Sequence, residues 1–530
     1  MSTETPTAPV DQRLVPEQRA LLRRPVRGGR PGTAQRVTRQ ASRLARRLAQ
    51  DRRLQALFFL LLSLLTHLPG FSRALWSPDE AFLGTQARVL ADGGQLYVDV
   101  VDRKPPLLPY LYTAAVTVAG DNAIWLMRGL AVLAHAATAV VLAAIARHLW
   151  SRRAGLAAGT LYLLASPGLA PDDAQLASFE TFMLPPMVGA VYLALRGRFG
   201  WAGLALAGAT LTKQAAGATL LPLVALALMD WPSPGTRVRR ARARRVRARQ
   251  LGWLLVAYTV PIGAAAMFFG WQRFWFWVMT GSGEYLDATG AIPYALSRGF
   301  GNLGLLALGS LPLVLLALAS VHTRSVQVVW WLWLLSAVAA VSVGLRFFGH
   351  YYLQIVPPLV IVAVSVLRMY GPRVWRAALV AGLVPALVFT SLAFVWGEGR
   401  NTHSAKLAAA IRARSAPDDR LLVWGMHPEV YWLADRPPAT RFITAGFLTN
   451  AGGGRPSWRI GADYAVIGGW QDFDEDVRAH PPDLIVDDSD DSAVAVARVP
   501  TVAALIQDGG YVEVARVDGA VIYEPVAELS

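Results

Sequence analysis

The chain has 530 residues, 54% of them hydrophobic, and a formal net charge of +15. Repeated apolar runs of about 20 residues match the length needed to cross a roughly 30 Å hydrocarbon core many times, which excludes an ordinary soluble protein. The charge is split, +23 over residues 1–397 and −8 over the remainder, so basic cytoplasmic loops account for the arginine excess and no nucleic-acid partner is implied. There is no cysteine, which rules out disulfides, thiolate metal sites and cysteine nucleophiles.

Residues 1–53 are rich in Arg, Pro, Gly, Ser and Thr. They have little to bury, and we read them as a disordered basic cytoplasmic tail. The first apolar run lacks a small-residue cleavage site, so it reads as a span rather than a removed signal peptide. It covers about 55–72, running outward. Further spans are expected at 123–146, 154–170, 176–195, 199–212, 215–231, 251–271, 301–320, 326–344, 351–367 and 376–396. That makes about eleven, in a mainly α, polytopic catalytic domain over 54–397. Arginine clusters fall at every cytoplasmic turn, the largest being the run at 237–249. The expected location is the plasma membrane, with the N-terminus inside.

On this topology the external segments collect Asp79, Glu80, Asp102, Arg103, Lys104, Asp172, Asp173, Glu180, Lys213, Gln214, Glu284, Tyr285, Arg346, His350 and Tyr351. Charge at a membrane boundary is costly unless it is used. Asp79 and Glu80 follow Pro78 and also suit an ordinary helix N-terminus. The amphipathic stretch 81–90 behind them reads as a helix lying along the membrane surface and turning the pair towards a cavity. Only three lysines occur, Lys104, Lys213 and Lys406. An ammonium is a compact point charge suited to a phosphate oxygen, although Lys104 and Lys213 also fit simple snorkelling to the interface. Glu180 sits in an apolar stretch at membrane depth, where a carboxylate reads as functional. Asp172 and Asp173 fit either a second acidic cluster or a capped turn. His350 and Tyr351 fit either substrate contacts or an aromatic belt.

Four motifs in this order, W-S-P-D-E-A from Trp76, K-P-P-L from Lys104, T-K-Q from Thr212 and R-F-F-G-H-Y-Y-L-Q-I-V-P-P from Arg346, resemble the GT-C glycosyltransferases. The nearest branch is glycosyltransferase family 39, which holds protein O-mannosyltransferases and the aminoarabinose transferase of lipid A. The resemblance covers most of 55–397. It implies a polyprenyl-phosphate sugar donor, used on the external face and transferred with inversion to an acceptor hydroxyl. It further implies that Asp79 is the general base and that Glu80 orients the base or the sugar. Lys104, Lys213 and Arg346 would hold the donor phosphate, while Arg103, Asp172, Asp173, Glu180, Gln214, His350 and Tyr351 would contact substrate. These roles make chemical sense, since a hydroxyl needs a carboxylate in reach and a phosphate leaving group needs preorganised cations. Some family members carry an acid just before the lysine of K-P-P; here Arg103 stands there. That departure makes a divalent metal optional rather than required, with Glu180 and His350 the candidate ligands.

From Glu398 onward the pattern is that of an external soluble α/β domain. Strands are expected at 421–424, 484–486, 512–517 and 521–523, with helices at 405–414 and 429–434. Gly425 belongs to no dinucleotide fingerprint, and the acidic run 487–491 reads as a solvated turn or a Ca2+ loop. Such a domain either recognises the acceptor or caps the site. The expected activity is sugar transfer from a polyprenyl-phosphate donor to a glycan, lipid or protein hydroxyl. The alternative is a lipid-linked glycan flippase without catalysis, and a non-catalytic scaffold is a third reading.

Overall fold

Inside lipid only a helix satisfies every backbone polar group of a single segment, and the long apolar runs accordingly fold as helices. The structure, a computed structural model, describes residues 33–229, 237–281, 291–323, 327–396, 401–452, 459–490 and 492–526. Glu284 and Tyr285 lie outside the described residues, as does most of the expected tail. Within that tail, Thr33–Gln50 is helical rather than disordered, as its Ala, Arg, Leu and Gln content favours.

Among the described residues, six helical runs are long and apolar enough to span a membrane: Arg52–Phe71, Leu107–Leu149, Arg244–Phe268, Val328–Leu345, Gly349–Leu367 and Pro372–Val395. A seventh forms if Ile292–Gly309 and Leu311–His322, bent by 95°, count as one span. The expected eleven is not reached on this measure. Several interior helices are short, namely Phe179–Leu195, Phe199–Thr212 and Gln214–Leu228, the first of them carrying Pro185 and Pro186 inside it. A helix over Leu107–Ala119 was not expected. It starts directly after Pro106 and turns at Gly120, whose φ is +53°, before Ala123–Leu149. The arginine run, expected as a turn, is helical and continuous with the span that follows it, Arg237–Phe268.

Beyond the membrane helices, four strands form one sheet in the order β1–β2–β4–β3: β1 (Leu421–Gly425), β2 (Leu484–Asp488), β3 (Tyr511–Val517) and β4 (Ala520–Pro525). β1 and β2 are parallel, with Leu421 opposite Leu484; β4 is antiparallel to both β2 and β3. Their apolar residues share one core with Tyr97, Val100, Val101, Phe274 and Trp277 of the preceding segments. The C-terminal region is therefore packed onto these segments through a common interior. A second core holds the membrane bundle together around the wholly buried helix Val356–Leu367.

Candidate active site

Ser77 is extended, and its hydroxyl accepts the Asp79 amide at 3.3 Å, with Pro78 opening the helix Pro78–Ala91. This cap fixes where the helix starts. Asp79 is left exposed on the first turn, where the helix dipole favours a carboxylate. Rather than lying open on a membrane surface, the helix packs beneath the C-terminal region, with Trp432 directly against Gly84.

Glu80, expected to orient the base or the sugar, lies in a buried ion pair. It is 0% exposed, and Arg128 grips both its oxygens, Nε to Oε1 at 3.0 Å and Nη2 to Oε2 at 2.7 Å. The amides of Trp76 and Ala177 donate to the same carboxylate. Arg128 also donates to the carbonyls of Gly70, Arg73 and Ala74. The first loop is thereby tied to the helix that carries Asp79. Removing one partner of such a buried pair costs about 3–5 kcal/mol. The sequence reading missed Arg128, although a lone arginine in the apolar run 123–146 was a signal that a partner must exist.

The Asp102–Arg103–Lys104 loop lies within electrostatic reach of Asp79. Asp102 is 6% exposed, and burial pushes its carboxyl up against the opposing pull of the Lys104 charge and the Arg103 amide. The Lys104 ammonium lies 4.5 Å from the Phe179 ring centroid, and its carbonyl accepts the Tyr97 hydroxyl at 2.6 Å. Gln214 Nε2 donates to the Arg103 carbonyl at 3.1 Å. Asp79 and Lys104 each act electrostatically on both Asp102 and Lys213. Acid and lysines thus share one field.

Glu180 and Lys213 form a buried, hydrogen-bonded ion pair, and Lys213 Nζ also sits 3.8 Å from the Tyr351 ring centroid. Lys213, expected on the donor phosphate, therefore already has a carboxylate partner inside the protein. Asp173, on the four-residue helix Pro171–Ala174 with Asp172, accepts from the His350 amide at 3.0 Å and from His350 Nδ1 at 2.7 Å. Among the described residues no group of three His, Asp or Glu side chains is placed to hold a metal ion. The two candidate ligands, Glu180 and His350, are engaged with Lys213 and Asp173.

The turn that presents Arg346 is strained. Gly344, Leu345 and Phe347 have φ of +73°, +49° and +47°, and a non-glycine residue in that region costs of order 1–3 kcal/mol. Surrounding contacts hold it. Asn302 Nδ2 donates to the Phe347 carbonyl at 2.8 Å, the Arg298 guanidinium covers Phe348 at 4.1 Å, and Asp173 takes His350. Arg346 is 5% exposed, and its Nη1 donates to the Gly452 carbonyl at 3.3 Å. Asp79, the Asp102–Lys104 loop, Glu180, Lys213 and this turn come from five separated stretches of chain.

These residues gather among the helices of a multi-pass membrane protein. ArnT from Cupriavidus metallidurans, solved bound to undecaprenyl phosphate and in the apo state, has a similar structure in both states, with a TM-score of 0.60 and 16% identity. The match covers 89% of this chain and 98% of that one. The oligosaccharyltransferase AglB from Archaeoglobus fulgidus, in complex with an inhibitory peptide and a dolichol-phosphate, matches more weakly, with a TM-score of 0.47, 10% identity, and coverage of 82% of this chain and 69% of its own. Residues 103–240 match the family described as dolichyl-phosphate-mannose-protein mannosyltransferase. No curated protein sequence matches the chain. The chain is thus a GT-C-fold protein resembling glycosyltransferase family 39.

Proposed function

We propose that this protein is a membrane glycosyltransferase that moves a sugar, a hexose such as mannose or a pentose, from a polyprenyl-phosphate donor to an acceptor hydroxyl on the outer face. The observation that carries the reading is Asp79, an exposed carboxylate on a capped helix start within electrostatic reach of the loop that holds Lys104. The match of residues 103–240 to a mannosyltransferase family and the likeness to an ArnT captured with undecaprenyl phosphate support the donor class.

In this mechanism the acceptor hydroxyl gives its proton to Asp79 as its oxygen attacks the anomeric carbon from the face opposite the phosphate. The bond between that carbon and the phosphate oxygen breaks, and configuration inverts. Charge building on the departing polyprenyl phosphate is met by Lys104 and Arg346, with the Lys213–Glu180 pair, Gln214, His350 and Tyr351 forming the wall behind. Fixed cations in a site shielded from water stabilise such charge more than water does. No step is routed through a metal ion.

A flippase also needs cations for a lipid phosphate. It has no use for a carboxylate beside them, because that charge repels the substrate. The test is Asp79→Asn in purified protein given a radiolabelled polyprenyl-phosphate sugar and a membrane extract as acceptor. Transfer is expected to fall by at least 100-fold, within the range of a general base, with donor binding retained. Normal transfer by the variant sinks the base assignment, and an absence of donor binding by the unaltered protein sinks the donor reading.

A further inference from the structure

We propose that Phe447, in the C-terminal region, is a positioning residue for the donor phosphate, acting through Arg103 and the loop that carries Lys104. The inference rests on the glycosyltransferase reading above and gives the C-terminal region a part in the donor site.

Phe447 is 6% exposed at the meeting point of four segments. Its ring lies 6.3 Å from that of Phe82, which is three residues past Asp79 on the same helix. It meets Trp277 edge-on at 5.9 Å and Phe442 at 6.2 Å. Over its face, at 4.6 Å from the centroid, sits the Arg103 guanidinium. The carbonyl of Arg103 is held from the other side by Gln214, whose Nε2 also reaches the Val278 carbonyl at 3.3 Å. Arg103 is therefore fixed at both its backbone and its side chain, and Lys104 is the next residue.

The same short segment reaches the second cation. After the helical turn Gly446–Thr449, Asn450 takes φ of +56° and the chain bends so that the Gly452 carbonyl accepts from Arg346. The left-handed step directs the segment towards the strained turn. Two residues of this short stretch, Phe447 and Gly452, thus touch the two basic elements assigned to the phosphate.

Simple apolar packing at a junction predicts a different outcome from positioning. Leucine at 447 keeps apolar bulk and removes the ring face that an arginine stacks on, whereas tyrosine keeps the ring. We expect Phe447→Leu in the full-length protein to bind undecaprenyl phosphate roughly tenfold more weakly, the scale of a desolvated cation–π contact, with the acceptor KM unchanged. Arg103→Gln should lose a similar factor, the double variant no more than either alone because the two side chains act as a unit, and Phe447→Tyr should bind like the unaltered protein. Unchanged phosphate binding by Phe447→Leu, or losses that multiply in the double variant, overturns the proposal. If the unaltered protein binds no undecaprenyl phosphate, the donor reading fails and the inference falls with it. If Phe447→Leu does not fold, Arg103→Gln decides, since undiminished phosphate binding by that variant refutes the role of the stack.

Discussion

At the scale of single residues, neighbouring acids do different work. Asp79 and Glu80 are adjacent, yet one is exposed at a helix start and the other is enclosed by Arg128. Sequence reasoning located the pair because polar residues beside an apolar run are expensive. It could not divide their labour, since Arg128 lies 48 residues away. Asp102 carries a stability cost that points the same way. Burial raises its carboxyl from the ordinary value, so the unfolded chain ionises first as pH rises and the folded state then bears a penalty. Asp102→Asn removes that penalty. Its melting temperature is expected to exceed that of the unaltered protein at pH 7, and the difference should shrink as pH falls through the ordinary carboxylate range towards pH 3, as thermal unfolding in detergent will show. A variant that melts lower at pH 7 means the charge is compensated by neighbours such as Lys104.

At the scale of elements, the helix Pro78–Ala91 couples the site to the C-terminal region. The Arg88 guanidinium stacks 3.7 Å from the Trp432 ring centroid, donates to the Trp432 carbonyl at 3.0 Å, and pairs with Asp121 and Asp435. A Cβ added at Gly84 would lie 2.7 Å from Trp432 Cε3. Helix propensity alone favours alanine over glycine by about 1 kcal/mol. The clash opposes it, so Gly84→Val is expected to loosen the C-terminal region, seen as faster limited proteolysis, and Gly84→Val with Trp432→Ala to recover much of the resistance. Equal proteolysis of Gly84→Val and the unaltered protein would show that the contact yields freely. The four strands were legible because runs such as L-L-V-W and V-I-Y pack well on a pleated surface. Their order β1–β2–β4–β3 was not, because pairing depends on partners about 60 residues apart in the chain. The helix Leu107–Ala119 was not among the expected spans, although it starts straight after Pro106 and prolines precede helices comfortably.

At the scale of the whole molecule, charge divides the chain along its length. The arginine runs fall in residues 1–397, and the acidic C-terminal region shares its core with the segments around Tyr97 and Trp277. The proposed orientation places the arginine helix inside and the sheet outside. The absence of cysteine makes this directly testable. A single cysteine at Gln471, exposed in the helix Gly469–Ala479, is expected to react with an impermeant maleimide in intact cells, and one at Ala248, exposed on the arginine helix, only after lysis. The reverse pattern would place the site on the cytoplasmic side and remove the proposed outer-face reaction.

The sequence by itself determined that the chain crosses the membrane repeatedly and that Asp79, Lys104, Lys213 and Arg346 are costly unless used. Those conclusions need only composition, hydropathy and local spacing, which are properties of the linear chain. The tertiary structure alone decided which charges meet. It gave Glu80 to Arg128, Lys213 to Glu180 and His350 to Asp173, and brought Phe447 over Arg103 from 344 residues away. The physical reason is that a buried charge takes whatever partner the packing of distant helices brings within about 3 Å, and that proximity is set by the fold.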